Sequence, residues 1–282
     1  MAEAPDLLSL VVPLQLESGP PEAEAPRWWG RAAHAILLRA VAQHDPALAQ
    51  ALHDADGPRP FTASSLLGPR VQGRPRADAV HRLRFTALTP AVAQALLHAR
   101  QQGLLAPQQR LELAGWVFRV LPSEPDEPAP WTARTTYQAL SAALLTGQAA
   151  PSRVWTLLFA APTTFHVAGQ HVPFPLPGWV FGSLLARWNA FAPVTFPPET
   201  RRYAEQAVVV SRYRLTSRAV PLKAGGLRIG AVGRVAYRAR VYDRYWMSVL
   251  EVLARFAVFA GVGVGTAYGL GQARLVAEEP AA

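Results

Sequence analysis

Five glycines in eleven residues mark the segment most suited to chemistry: Gly261-Val-Gly263-Val-Gly265-Thr-Ala-Tyr268-Gly269-Leu-Gly271. Glycine tolerates positive φ and lets backbone N–H groups close on an anion. Spacing excludes two familiar loops. A dinucleotide loop needs G-x-G-x-x-G after a strand and before a helix; from Gly261 the sixth position is Thr266, and from Gly263 it is Tyr268. A P-loop needs Gly-Lys-Ser/Thr, and this loop has no lysine. A tight helix-to-strand connection without a ligand stays open. Seven histidines add groups that titrate near neutrality. His34 lies three residues before Leu37 and four before Leu38, at the border of an apolar helical stripe. His53 stands beside Asp54, where a cap or ion pair is the plainer reading. His34, His44 and His53 are ten and nine residues apart, with Pro46 between the last two, which is no recognised metal spacing. The chain has no cysteine, which removes disulfides and cysteine–zinc sites.

Arginine carries most of the charge. Basic side chains number 28, the net charge is +9, and Lys223 is the only lysine. The pI is near 10.7. A guanidinium pairs phosphates bidentately and stacks on bases, so an RNA-binding face fits as well as a merely basic surface. Arg201-Arg202, Arg212, Arg214 and Arg218 lie on or near one expected strand, and period 2 puts the last three on one face. Arg234, Arg238 and Arg240 do the same on the next. Together they form a basic platform or a solvated sheet face. The stretch from Gly30-Arg31 to Arg39 could meet phosphates through side chains or N-terminal amides.

The elements that must hold these residues follow from pattern. Leu7–Glu17 reads as a strand, and its acidic flank and Pro13 argue against a signal peptide. A helix runs over about 28–43 with Ala32, Ile36, Leu37, Ala40 and Val41 as its stripe, and a shorter one over 46–52. Residues 61–67 are extended, 81–88 form a strand, Thr89-Pro90 opens a helix ending near Gly103, and 110–121 form one strand. Pro122–Pro130 reads as a linker, followed by a polar helix over 136–145. The second half repeats the order: a strand or pair at 154–165, a helix at 178–189, a hairpin from 207–217 and 227–240, a helix at 243–259 and a strand at 270–276. Each half approximates β-α-β-β-α-β. The expected class is therefore α+β, with two tandem ferredoxin-like (RRM-like) domains and a C-terminal glycine-rich loop. Its parts are residues 1–125, a linker and helix at 126–150, and 151–282.

At the glycine loop the sequence resembles the CRISPR-associated endoribonucleases that cut precursor crRNA, within the RAMP superfamily. Their G-h-G-x5-G-h-G ending, with h hydrophobic, is matched by Gly261-Val-Gly263 and Gly269-Leu-Gly271. Residues 161–193, with Pro-Thr-Thr-Phe165, Phe174-Pro175-Leu176-Pro177 and Ser183-Leu-Leu-Ala-Arg187-Trp188, are similar to that family's mid-chain pattern. Residues 52–65 (LHDADGPRPFTASS) resemble a segment near its N-terminus. The three matches occur in the family's order, and its fold is two ferredoxin-like domains.

The resemblance implies metal-independent RNA cleavage. A ribose 2′-hydroxyl attacks the adjacent phosphate, giving a 2′,3′-cyclic phosphate and a 5′-hydroxyl. Such chemistry needs a base, an acid and a cation. It implies His34 or His53 as the catalytic histidine. Arg59 falls where some members carry a catalytic lysine; Tyr268, inside the glycine loop, could stack on a base or orient the phosphate, with a packed aromatic in a tight turn as the plainer reading. Those members also have a tyrosine in the first helix, absent here. RNA contacts fall to Arg31, Arg201, Arg202, Arg212, Arg214, Arg218, Arg234 and Arg238, and to Gly261, Gly263, Gly265, Gly269 and Gly271. His166 and His171 are expected on the surface or against RNA. No cofactor and no metal are expected. The partners are CRISPR repeat RNA and crRNA, with other effector subunits and a homodimer left open. A cytoplasmic location without membrane contact is expected. A non-catalytic backbone subunit of an effector complex is the first rival, and a nucleotide-binding metabolic enzyme the second.

Overall fold

A computed structural model describes residues 5–21, 24–122, 131–221 and 225–277. It divides into two compact units: residues 1–134 with Ala267–Gly269, and residues 135–266 with those from Leu270 onward. Most of the linker over Pro122–Pro130 lies outside the described residues.

The first unit runs β1 (Leu7–Ser18), α1 (Gly30–His44), α2 (Pro46–Asp54), β2 (Phe61–Ala63), β3 (Arg70–Val71), β4 (Arg74–Pro75), β5 (Val80–Ala87), α3 (Pro90–Gln102), β6 (Arg110–Leu113), β7 (Trp116–Val120) and β8 (Ala133–Thr135). Its main sheet is ordered β2-β5-β1-β7-β6, with β8 also paired to β1. The β1–β5 register, Leu8 opposite Ala87 and Leu14 opposite His81, is antiparallel. Leu8, Val12 and Leu14 of β1 pack with Leu83 and Phe85 of β5 against Ile36, Leu37, Ala40 and Val41 of α1 and Val92 and Leu96 of α3. Each such aliphatic side chain contributes roughly 1.5–3 kcal/mol when fully buried. That stripe orients α1, and so decides where His34 on its flank can point. Asp45 caps α2, its Oδ1 accepting from Leu48 N at 2.9 Å, with Pro46 at the first position.

The second unit runs α4 (Tyr137–Leu145), β9 (Val154–Thr163), β10 (Phe165–Val167), β11 (Gln170–Val172), α5 (Pro177–Phe191), α6 (Glu199–Ala207), β12 (Val208–Pro221), β13 (Leu227–Ala239), α7 (Arg244–Ala260), a 3-10 turn (Thr266–Tyr268, whose last two residues group with the first unit) and β14 (Ala273–Val276). Its sheet is ordered β12-β13-β9-β14. Trp155, Leu157 and Phe159 of β9 are fully buried, as are Leu250, Leu253 and Phe256 of α7. Asp243 caps α7, and Thr136 caps α4.

Two local expectations are corrected. Residues 110–121 form two strands, because Ala114 (φ 49°) and Gly115 (φ 83°) make a left-handed two-residue turn. The apolar run across Ala114 hid that turn. Arg201 and Arg202 stand on α6, the helix that leads directly into β12, rather than on the strand itself; Pro197-Pro198 just before Glu199 suit the start of a helix. Thr89 does precede α3, but its hydroxyl makes no capping bond.

Candidate active site

His34 projects from the flank of α1 between two aromatic rings. Its centroid is 4.5 Å from that of Tyr268 and 5.5 Å from that of Phe61 on β2. Its Nδ1 lies 3.2 Å from the carbonyl oxygen of Ala267. A carbonyl only accepts, so Nδ1 carries the proton and, in the neutral ring, Nε2 holds the lone pair. Burial holds the His34 pKa below the ordinary imidazole value; the Ala267 bond pulls it back up, and the charges of Arg59 and His53 push it down again. The first unit therefore brings His34, His53, Arg59 and Tyr268 into one neighbourhood. His53 is exposed in the last turn of α2. Arg59 is half-buried and donates through Nη1 to the Leu52 carbonyl, which ties it to the end of the same helix.

Trp28, which sequence reasoning passed over, and Gly30, read there only for phosphate contact, fix the place of Tyr268. The Tyr268 carbonyl accepts from Trp28 Nε1 at 2.7 Å. A Cβ built on Gly30 would fall 1.7 Å from that same oxygen, so only glycine fits at the start of α1. The paired tryptophans before Gly30 were the available signal. Arg31 is exposed on α1.

In the second unit the glycines serve close packing. Gly261, Gly263, Gly265 and Gly271 all have positive φ, as does Gly269 in the first unit. A Cβ on Gly263 would sit 2.3 Å from the Thr164 carbonyl oxygen, and one on Gly271 2.1 Å from that of Val262. The amides of Gly261, Gly263 and Gly271 donate to Ala257 O, Ser183 Oγ and Pro162 O. Those three are thus engaged inside the protein rather than presented to an anion. Arg187 explains the mid-chain Ser-Leu-Leu-Ala-Arg pattern. It donates to Ser183 Oγ at 2.7 Å, to the Gly263 carbonyl at 2.7 Å and to Thr266 Oγ1 at 3.2 Å. Burial lowers its pKa to about 10, which leaves it charged at neutral pH.

One face of the second unit's sheet is rich in arginine. Arg214 pairs with Arg234, Arg234 with Leu158, and Leu158 with Arg274, so three arginines lie in one row across four strands. Arg212 and Arg218 share that face of β12, and Arg238 that of β13; all three are exposed, as is Arg240 just beyond. The opposite face buries Val235 and Tyr237. Arg274 was missed because it is the lone arginine of a short strand. Arg201 and Arg202 are exposed on α6, where Arg201 pairs with Glu205 at 3.0 Å. Among the described residues, no group of three or more His, Cys, Asp or Glu could hold a metal ion. No described helix is long and apolar enough to cross a membrane.

A sequence model of the family described as CRISPR-associated endoribonuclease Cas6 matches residues 157–273. A CRISPR-associated endoribonuclease Cas6 from Mycobacterium tuberculosis is 30% identical over 127 residues, which is 44% of this chain and 39% of that protein. The match thus spans well under half of that curated relative. A solved Cas6 product complex is 27% identical, with a TM-score of 0.74 over 96% of this chain and 99% of that one. A Thermus thermophilus Cas6 product complex is 26% identical, with a TM-score of 0.76 over 98% and 100%.

Proposed function

We propose, from the premise that this chain belongs to the CRISPR-associated Cas6 endoribonuclease family, that it binds CRISPR repeat RNA and cuts precursor crRNA without a metal. The observation that carries this reading is the hydrogen bond from His34 Nδ1 to the Ala267 carbonyl, which leaves Nε2 as the basic atom. In the reaction, Nε2 takes the proton of a ribose 2′-hydroxyl. The 2′-oxygen bonds to the neighbouring phosphorus, and the bond from phosphorus to the 5′-oxygen breaks. His53 protonates the leaving 5′-oxygen, so the products are a 2′,3′-cyclic phosphate and a 5′-hydroxyl. Arg59 faces the charge that builds on the phosphorane. Tyr268 stacks a base or orients the phosphate, and the positive φ of Gly269 shapes the backbone directly after it. Arg31, Arg201, Arg202, Arg212, Arg214, Arg218, Arg234 and Arg238 hold the RNA backbone, as duplex recognition by shape and phosphate requires.

Each unit is read as ferredoxin-like. Support comes from sheets in which the first long strand lies between the third and the fourth, with the second outside the third: β2-β5-β1-β7 and β12-β13-β9-β14. The protein works in the cytoplasm, and it stays on its crRNA within an effector complex where the cut hairpin remains bound.

The test is cleavage of repeat RNA in EDTA. Wild type should give a product with a cyclic phosphate end, and His34→Ala or His53→Ala should reduce the rate by about 10²–10⁴. Full activity in both variants, or a strict need for a divalent ion, sinks the mechanism. Binding with no product from wild type supports the non-catalytic backbone role instead.

A further inference from the structure

The β10–β11 hairpin carries a side-chain cluster that the reaction above leaves unused. Its turn residues, Ala168 (φ 48°) and Gly169 (φ 79°), are both left-handed, which matches the twist of the strands they join. The turn sets His166 directly opposite His171, with ring centroids 5.2 Å apart. Arg228 of β13 reaches the pair, its Nη2 lying 3.2 Å from His171 Nε2. A guanidinium only donates, so that Nε2 holds a lone pair and the His171 ring is neutral in this arrangement. Arg228 Nε is buried without a hydrogen-bond partner among the described residues. Both histidines are exposed.

The groups around this cluster supply no free carboxylate among the described residues. The hairpin adds Gln170, and β12 sets Val220 opposite Arg228. Across the pocket that His166 lines, α6 contributes Arg201, whose guanidinium is paired with Glu205. Burial, then Arg228, then His166 hold the His171 pKa below the ordinary value. Protonating Nε2 would break its bond to Arg228 and set two cations side by side. An anion placed between them removes that conflict and favours the proton.

We infer that His166, His171 and Arg228 form a phosphate-binding site that grips the RNA backbone apart from the catalytic cluster and takes up a proton as it does so. The inference rests on the RNA-binding reading above, but not on any catalytic role. The ligand chemistry is a phosphate oxyanion, and the RNA backbone is separated from free phosphate by the experiment. Because bound anion raises the histidine pKa, tightening is complete below the free-state value and is lost as pH rises through the bound-state value.

Ring NMR of the two histidines across pH, in the full chain, reads the site directly. Saturating repeat RNA should raise the His171 pKa, and Arg228→Gln should abolish the rise. RNA affinity should strengthen between pH 7.5 and 5.5 by up to about tenfold per pH unit for each proton taken up. The double variant His166→Gln, His171→Gln should lose that increment. Rings indifferent to RNA, or an unchanged pH slope in the double variant, overturn the proposal. A response to inorganic phosphate but not to RNA overturns RNA as the ligand. Rings that respond to RNA in a protein whose cleavage ignores His34→Ala and His53→Ala uphold this site and sink only the catalytic assignment.

Discussion

His34 is held by an acceptor that cannot change its role. The Ala267 carbonyl fixes the proton on Nδ1, and the lowered pKa keeps Nε2 unprotonated at neutral pH. A base must be neutral to act, so the acid limb of the pH–rate profile should lie below the ordinary imidazole value. Removing the positive charge in Arg59→Gln withdraws one of the causes that lower it. The limb should then move to higher pH, alongside a fall in the maximal rate of roughly 10-fold or more from lost charge stabilisation. A limb that stays fixed in single-turnover cleavage would detach Arg59 from His34. At Tyr268, the ring beside His34 is the part proposed to meet RNA, so Tyr268→Phe should keep most activity and Tyr268→Ala should not. Stacking of one base contributes about 1–3 kcal/mol, and the loss should appear in affinity measured by filter binding.

At the scale of elements, α1 begins where a backbone oxygen already stands. Helix propensity alone favours Gly30→Ala by roughly 0.5–1 kcal/mol. The Tyr268 carbonyl at 1.7 Å from the new Cβ reverses that preference. We expect a net loss of about 1–3 kcal/mol, read by urea unfolding, together with slower cleavage as Tyr268 is displaced. Stability equal to wild type would show that the segment moves aside without cost. The β6–β7 turn gives the opposite sign. Ala114 occupies a left-handed conformation that costs an L-residue about 1–2 kcal/mol. Ala114→Gly should therefore raise the unfolding midpoint or leave it level, since glycine's greater unfolded freedom offsets part of the gain; a fall would refute the strain.

At the scale of the molecule, charge governs affinity. Arg214 and Arg218 are exposed on one face of β12. If each neutralises one RNA phosphate, Arg214→Gln and Arg218→Gln should each flatten the plot of log affinity against log salt by about 0.7–0.9. The loss should be similar for cognate and altered repeats, because phosphate contacts carry little sequence information. An unchanged slope would make this a solvated face.

The chain's local chemistry dictated the element order of both halves, the glycine run and the arginine alternation on β12 and β13, because periodicity and turn residues act over a few positions. It also singled out His34 without excluding His53. Helix α6 and the β6–β7 turn escaped, one for its polar residues and the other for its apolar flanks. Only tertiary structure set the Ala267 carbonyl against His34 across 233 positions, and Ser183 against Gly263 across 80. Those pairings depend on how buried faces dock, and no local pattern in the sequence encodes which distant carbonyl or amide a side chain will then meet.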